Sequence, residues 1–348
     1  MAQFQRAIDP MKKHIYIYSP SGAVRDKAAF KRGIARLKTL GHEVEVDADA
    51  LSSHLRFAGD DPTRLAAIHR AAASGADVAL ISRGGYGITR ILGGIRYKAV
   101  AKAIEKGTEF VGISDFTAFS LAVLAKTGAV TWAGPALCEG FGVVDQSDAA
   151  DGHGHSDASG PDDIMEDCFN DMVTGQGEGA GWRQKHEPAV PAAAKGGPGL
   201  VGSKVKTDFV IKDVPLWGGN LAVLSSMVGT PYLPDIKGGV LFLEDVAEHP
   251  YRVERMLTQL LHAGILARQR ALVLGHFTEY KLVPHDKGFK LQTVVNWLRT
   301  QLKIPVLTNL PYGHVATKVL LPVGARVDLA VEGRDALLVW GHVRPHGI

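Results

Sequence analysis

The stretch VGISDFTAFS, residues 111–120, places a serine where a hydroxyl could do chemistry. Apolar residues and a glycine lead into Ser114 and Asp115, and a mostly apolar segment begins at Phe116. This pattern predicts a strand that ends at the serine and turns at once into a helix. Such a serine has two possible roles. As a nucleophile, it would attack a carbonyl group whose developing oxyanion is stabilised by the helix N-terminus. As a helix cap, it would contribute about 1 kcal/mol to stability. The local sequence leaves both roles open.

The serine does not fit the α/β-hydrolase nucleophile turn, in which a glycine lies two residues before the serine and another two residues after it. Gly112 occupies the first of these positions, but Phe116 occupies the second. A nucleophile at Ser114 would therefore belong to another architecture. It would still need a base and a group that orients the base.

Two histidine–glutamate pairs could supply that base and its partner. His314 follows the strand-like run PVLTN and a Pro-Tyr-Gly turn, a loop position typical of catalytic side chains. Glu244 ends the apolar run GGVLFL and could orient an imidazole or cap the next helix. His276 and Glu279, in LGHFTEY, form a competing pair after another apolar run. Periodicity does not rank these two pairs.

The segment ISRGGYG, residues 81–87, is a second loop with chemical potential. Gly84, Gly85 and Gly87 allow close backbone approach, so their N–H groups could face a ligand. No Gly-Lys-Ser/Thr follows and the dinucleotide-binding spacing is absent, so an oxyanion-hole donor or a tight turn fits as well as a phosphate site. The GGN run at 218–220 opens a predicted helix and should bring backbone close to the other half of the chain.

These candidate residues require elements that bring them together. From residue 14 to about residue 137, strand-like segments such as HIYIYSP and ADVALIS alternate with helix-like ones such as DKAAFKRGIARLKTLG. This alternation predicts an α/β fold with a mainly parallel sheet and helices on both faces. Ligands bind such sheets at the carboxyl ends of the strands, where VGISD and ISRGGYG both lie.

The rest of the chain predicts a different unit. Short β runs with interspersed helices predict a β-rich, barrel-like C-terminal domain. We therefore divide the chain into an N-terminal α/β domain at 1–142, an acidic flexible linker at 143–200 and a C-terminal domain at 201–348. His153 and His155 lie among carboxylates in the linker, but a solvated loop is favoured over a metal site because the run lacks a fixed geometry.

Composition excludes several classes of function. The chain has 348 residues with 46% hydrophobic and 22% charged residues, as in a soluble globular protein of two domains. A net charge of +3 without a dense Lys/Arg cluster argues against nucleic acid. Two cysteines, Cys138 and Cys168, suit a reducing compartment. No apolar run could cross a membrane or serve as a signal peptide, so we expect a cytoplasmic protein.

The chain resembles the LD-carboxypeptidase family in five motifs that follow one another in the family's order: ISRGGYG, VGISDFTA, LWGGNLAVLSSMVGTPY, GGVLFLEDVAEHPYRVERML and NLPYGHVATKVLLPVG. These serine peptidases include murein tetrapeptide carboxypeptidases and microcin C self-immunity peptidases. The resemblance spans roughly residues 14 to 335 and implies the two-domain fold described above, a homodimer and no metal or organic cofactor. The stretch at 145–160 departs from the family because it is longer and more acidic than its linker.

The resemblance also implies roles for individual residues. Ser114 matches the family's nucleophile, and Glu244 and His314 complete a Ser–Glu–His triad. Two backbone N–H groups, those of Asp115 and Gly85, match the oxyanion hole. The implied partner is a small peptide, a murein tetrapeptide that is cut between its diamino acid and a terminal D-alanine.

Substrate recognition is less well defined by the sequence. Arg83 and Gly84 are the candidates for substrate binding. Arg83 could bind the terminal carboxylate, but backbone N–H donors could bind it equally well. One alternative function is self-immunity, in which a peptidyl or aminoacyl nucleotide is cleaved and Trp182 or Trp217 stacks on the base. Another alternative is a binding protein without catalysis that uses the two glycine-rich loops.

Overall fold

The computed structural model describes residues 12–144, 160–185 and 208–341. Within these ranges the chain forms two β-sheets with helices packed against them. The predicted acidic loop, with His153 and His155, lies outside the described residues.

The first sheet has six strands in the order β11-β5-β4-β3-β1-β2. The strands are β1 (His14–Tyr18), β2 (Glu43–Val46), β3 (Val78–Ile81), β4 (Glu109–Gly112), β5 (Thr131–Ala133) and β11 (Leu321–Val323). Strands β1 to β5 pair in parallel, and β11 pairs antiparallel to β5. The predicted mainly parallel α/β sheet is therefore confirmed, with one added antiparallel strand at its edge.

Helices cover both faces of this sheet, as the alternation along β1 demonstrates. They are α1 (Lys27–Thr39), α2 (Asp61–Ala73), α3 (Ile88–Ile91), α4 (Tyr97–Glu105) and α5 (Phe116–Thr127). Ile15 and Ile17 pack into a core that includes residues of α1, whereas Tyr16 and Tyr18 pack into a second core with residues of α2, α4 and α5. Successive side chains of a strand point to opposite faces, so a strand that is buried on both sides is apolar throughout.

The second sheet has seven strands in the order β10-β9-β8-β7-β12-β13-β6. The strands are β6 (Gly179–Arg183), β7 (Phe209–Asn220), β8 (Val240–Val246), β9 (Ala271–Thr278), β10 (Val306–Leu307), β12 (Arg326–Glu332) and β13 (Asp335–Val339). Strands β7 to β10 are parallel, and β12, β13 and β6 are added antiparallel. The predicted β-rich second unit is present, but its sheet is open among the described residues rather than closed into a barrel.

The remaining helices are α6 (Asp163–Thr174), α7 (Leu221–Ser226), α8 (Pro250–His262) and α9 (Leu291–Gln301). Helix α6 and strand β6 lie inside the range 143–200 that was predicted to be a linker, and β11 returns to the first sheet after the His314 loop. The chain therefore passes between the two sheets more than once. No helix in the described ranges is long and apolar enough to cross a bilayer.

Helix α5 links the two units. It packs against β5 of the first sheet and against β7 and α7 of the second unit. Eight consecutive residues from Phe116 to Val123 are buried, because the helix is covered from both sides. The turn that precedes this helix, formed by Ser114 and Asp115, therefore lies at the junction of the two sheets.

Candidate active site

Ser114 lies in the turn between β4 and α5, at the carboxyl end of a central strand. Its φ is +65°, in the left-handed region that costs a non-glycine residue about 1–2 kcal/mol. Helix α5 takes Asp115 as its N-cap, so Ser114 is not the cap. Its Oγ has no hydrogen-bond partner among the described residues. The hydroxyl is therefore held in a strained turn and is available for other chemistry.

Asp115 fixes this turn through its buried side chain. Oδ2 accepts hydrogen bonds from Ser21 Oγ at 2.5 Å and from the Ile88 N–H at 2.9 Å. Burial raises the pKa of Asp115, and the bonds from Ser21 and Ile88 oppose that shift. The carboxylate therefore ties the Ser114 turn to the segments that follow β1 and the glycine-rich loop.

The glycine-rich loop lies against Ser114. A Cβ added at Gly84 would come within 2.8 Å of Ser114 Cβ and 3.2 Å of its Oγ, so only glycine allows this approach. Gly85, the predicted oxyanion donor, is exposed beside Gly22. The backbone N–H groups of Gly85 and Asp115 have no hydrogen-bond partner in the described part of the chain. Two unpaired N–H groups near a free hydroxyl fit the requirement for binding an oxyanion.

Glu244 and His314 form the second half of the site. Glu244 lies near the carboxyl end of β8, is completely buried, and accepts a hydrogen bond at Oε2 from His314 Nδ1 at 2.8 Å. Burial by itself lowers the pKa of His314, but the hydrogen bond and charge of Glu244 and the charge of Asp245 raise it further than burial lowers it. The net pKa of the imidazole is raised, and its Nε2 remains available for a proton.

Asn220 connects the two halves of the site. Its backbone N–H donates to Thr117 Oγ1 at 2.9 Å, and its side-chain Nδ2 donates to Glu244 Oε1 at 3.2 Å and to Asp245 Oδ1 at 2.9 Å. Its Oδ1 accepts from the Val223 N–H at 3.1 Å and so caps α7. The sequence predicted only a close backbone approach at this GGN run, not a side chain that binds the glutamate.

The close approach itself is confirmed at Gly219. Its φ is +137°, and an added Cβ would lie 2.4 Å from Thr117 Oγ1. A side chain here would push α5 away from β7. Because β7 pairs with β8, the serine turn before α5 would then move away from the strand that carries Glu244. The glycine therefore sets the spacing between the two halves.

Asp245 is the second acidic residue beside the pair. Burial and the charge of Glu244 raise the pKa of Asp245 to about 6, and the bonds from Asn220 and two backbone N–H groups oppose that shift. Its Oδ2 accepts from the Ala222 N–H at 2.9 Å. Asp245 therefore holds the start of α7 and was not identified from the sequence, because the acidic pair alone does not distinguish the two carboxylates.

Arg83 lies at the edge of the same junction. Its Nε lies 3.4 Å from Glu139 Oε1, and its guanidinium donates to the Ala23 carbonyl at 3.4 Å. Glu139 belongs to a π-helical turn at Leu137–Phe141. Both bonds tie Arg83 to the protein itself.

The competing pair is not brought together. His276 and Glu279 share no hydrogen bond or ion pair, and Glu279 is exposed. His276 lines a separate cavity of about 130 Å³ with Thr308 and Asn309. Burial lowers the pKa of His276, and the charge of Lys185 lowers it further.

Ser114 Oγ and the His314 imidazole are not hydrogen-bonded to each other in this structure. Both belong to the same junction, because the serine turn leads into α5, Thr117 of α5 binds Asn220, and Asn220 binds the glutamate that holds the histidine. Catalytic hydrogen bonds in unliganded enzymes are often long and tighten when substrate binds. The described residues contain no group of three or more His, Cys, Asp or Glu side chains that could hold a metal ion.

Two family models match the chain. The LD-carboxypeptidase N-terminal domain matches residues 15–134, and the LD-carboxypeptidase C-terminal domain matches residues 214–329. The first match contains Ser114, and the second contains Glu244 and His314. Together these matches span most of the chain.

Individual relatives agree with these models. The crystal structure of a muramoyltetrapeptide carboxypeptidase from Oxalobacter formigenes is 39% identical, covers 93% of this chain and 97% of its own, and superposes with a TM-score of 0.75. A probable murein peptide carboxypeptidase of Bacillus subtilis (strain 168) is 28% identical over 306 residues, 88% of this chain and 85% of the relative. The microcin C7 self-immunity protein MccF, in its wild-type apo state, shares the fold with a TM-score of 0.74 at 21% identity, covering 95% of this chain and 96% of its own.

Proposed function

The chain belongs to the LD-carboxypeptidase family, and from this premise we propose that it is a serine peptidase that removes the terminal D-amino acid from a murein tetrapeptide. The observation that carries the proposal is the bond between the fully buried Glu244 and His314, at the junction that also holds the strained Ser114. A buried carboxylate that orients an imidazole beside a free hydroxyl is the arrangement that nucleophilic acyl transfer needs.

In the proposed reaction, Ser114 Oγ attacks the carbonyl carbon of the diamino acid. The hydroxyl proton of Ser114 passes to His314 Nε2. The resulting oxyanion accepts hydrogen bonds from the N–H groups of Gly85 and Asp115, each contributing about 10²–10³ in rate. The C–N bond then breaks, and the imidazolium gives its proton to the departing D-amino acid. Water hydrolyses the ester, with His314 acting again as base, so the reaction as proposed uses no cofactor.

Glu244 has two tasks in this mechanism. Its bond to Nδ1 fixes the tautomer in which Nε2 is free to accept the serine proton. Its negative charge, which is enclosed by protein, stabilises the imidazolium that forms. Asn220 and Asp245 do not touch the reacting atoms in this scheme. They hold Glu244 and the start of α7 in place.

Product analysis tests the proposal. The purified protein is incubated separately with a tetrapeptide ending in diaminopimelate-D-alanine, with the isomer ending in L-alanine and with a peptidyl nucleotide, and the products are measured by mass spectrometry. We expect cleavage of the D-isomer alone, and none by Ser114→Ala. Cleavage of a peptidyl nucleotide with no action on either peptide would instead favour self-immunity chemistry, and binding without any product would favour a binding protein.

We also propose that the enzyme works as a homodimer in the cytoplasm. The family resemblance supports the dimer, and a chain with two cysteines suits a reducing compartment. Light scattering coupled to size-exclusion chromatography tests the dimer, and fractionation of cells tests the compartment.

A further inference from the structure

Lys318 is a buried cation in the loop that carries His314. The residue is only 4% exposed, and it follows the histidine by four positions. Its Nζ donates to the Ala316 carbonyl at 3.4 Å. Within the described ranges, no carboxylate oxygen lies within 4.0 Å of this ammonium group. An ammonium ion that is removed from water without a close counterion costs several kcal/mol, so its presence here requires an explanation.

Three acidic groups act on Lys318 from beyond ion-pair distance. Burial lowers the pKa of Lys318, and the charges of Asp162, Glu139 and Glu244 oppose that shift. The charge of Lys318 in turn lowers the pKa of His314. The ammonium group is therefore electrostatically coupled to the proposed triad.

Each of these carboxylates already has a closer partner. Glu244 binds His314 at 2.8 Å. Asp162 accepts from Thr317 Oγ1 at 2.5 Å and caps α6, and Glu139 is the partner of Arg83. Lys318 thus has no anion within ion-pair distance in the described structure.

Arg83, the sequence candidate for binding the terminal carboxylate, is in a different situation. Its guanidinium is tied to Glu139 and to the Ala23 carbonyl beside the glycine-rich loop. An arginine with these two bonds braces the loop, and its charge is already balanced. Of the two cations, Lys318 is the one that lacks a close anion.

We propose that Lys318 binds the terminal carboxylate of the peptide substrate. This inference rests on the proposed function, because a carboxypeptidase must recognise a free α-carboxylate at the end of its substrate. The substrate would bring the missing counterion, and a charge-assisted hydrogen bond to it is roughly twice as strong as a neutral one. Lys318 is therefore a specificity-determining residue that distinguishes a free carboxylate from a neutral chain end.

The experiment compares two ligands that differ only at that end, a tetrapeptide ending in D-alanine and the same peptide ending in D-alaninamide. Their KM and kcat are measured with the wild-type protein, Lys318→Met and Lys318→Arg. Their dissociation constants are measured calorimetrically in the Ser114→Ala background, where no turnover is needed. Lys237→Met is the matched control, because Lys237 is exposed and lies beside the exposed Asp235.

We expect the wild-type protein to prefer the acid over the amide by about 10- to 100-fold in KM. Lys318→Met should lose that preference because it weakens binding of the acid peptide and leaves binding of the amide peptide unchanged. Lys318→Arg should keep part of the preference, and Lys237→Met should keep all of it. A folded Lys318→Met protein that retains the full preference would overturn the proposal. If Lys318→Met does not fold, equal binding of acid and amide by the Ser114→Ala protein would overturn it.

The two proposals fail in different ways. If the wild-type protein cleaves neither peptide, the proposed function is wrong, yet a preference of the Ser114→Ala protein for the acid that depends on Lys318 still supports the carboxylate site. If cleavage occurs with no preference between acid and amide, the proposed function stands and the role of Lys318 is wrong.

Discussion

His314 Nδ1 and Glu244 Oε2 lie 2.8 Å apart, and the glutamate has no exposed surface. The remaining carboxylate oxygen accepts from Asn220 Nδ2 at 3.2 Å, so both oxygens of Glu244 are occupied. A carboxylate enclosed in this way can act on the imidazole but not directly on a substrate. The functional consequences of the site therefore pass through His314.

The first consequence is a pH profile. A general base must be neutral, so kcat/KM should rise with pH through the raised pKa of His314. Glu244→Gln removes the negative charge that favours the protonated imidazole and supplies an amide NH2 that can hold the wrong tautomer, so the acid limb should move to lower pH while kcat falls by about 10⁴-fold. The pH dependence of kcat/KM in both proteins measures this shift, and an NMR titration of His314 replaces it if turnover is too slow. An acid limb that does not move would contradict the assignment.

The second prediction concerns the unit formed by the nucleophile and the base. Ser114→Ala and His314→Ala should each reduce kcat by on the order of 10⁴-fold or more, because neither residue acts without the other. The double variant should be no slower than the slower single variant. Steady-state kinetics measures the three losses, and circular dichroism checks that the fold is kept. Losses that multiply in the double variant would mean that the residues act independently.

The third prediction isolates the contribution of Asn220. Asn220→Ala removes the amide that binds Glu244 and Asp245, so we expect kcat to fall by roughly 10- to 100-fold because the triad loses its alignment. It also removes a helix cap, at about 1 kcal/mol. Asp60→Ala is the control, since Asp60 caps α2 through the Thr63 N–H and is exposed. It should lower the unfolding midpoint through the lost cap alone, and so by less than Asn220→Ala does, and leave kcat unchanged. Equal kcat in both variants would remove Asn220 from the functional site.

Much of this site could be predicted from the sequence because its signals are local. The strand-to-helix turn at Ser114 follows from a change in hydrophobic period, and the parallel first sheet follows from alternating elements. Glu244 and His314 were assigned through motifs that resemble a known family. None of these inferences required the order of strands in a sheet.

The rest depends on contacts between distant segments. The Asn220 amide meets Glu244 because β7 and β8 are parallel neighbours, with these two residues in register. The return of β11 to the first sheet pairs Leu321 with Ala133, which no local pattern specifies. In the sequence, Lys318 is indistinguishable from an ordinary polar loop residue. Its burial results from the packing of distant segments around it, which the sequence pattern does not indicate.

The fourth prediction tests the contact between the glycine-rich loop and the serine. Gly84→Ala would place a methyl group 2.8 Å from Ser114 Cβ, so the loop or the turn must move. We expect kcat to fall by about 100-fold or more, since a displacement of about 1 Å has that effect on reacting groups. Gly181→Ala is the control because an added Cβ there meets nothing closer than 3.7 Å. Full activity in Gly84→Ala, measured by alanine release, would show that the loop does not position the serine.

The fifth prediction concerns the backbone strain at the proposed nucleophile. Ser114 has a φ of +65°, which glycine adopts without penalty and which costs alanine about 1–2 kcal/mol. Ser114→Gly should therefore be more stable than Ser114→Ala by about 1 kcal/mol, although both lack the hydroxyl. Strain of this kind persists where the surrounding structure enforces it, often at functional sites.

The matched pair for this comparison is Ser74→Gly and Ser74→Ala, because Ser74 is the C-cap that follows α2 and has a φ of −65°. At this position Ser74→Gly should be less stable than Ser74→Ala, by up to about 1 kcal/mol. Unfolding midpoints in urea measure all four variants. If glycine destabilises position 114 as it does position 74, the turn is not strained, and the serine is not held in its conformation at the expense of stability.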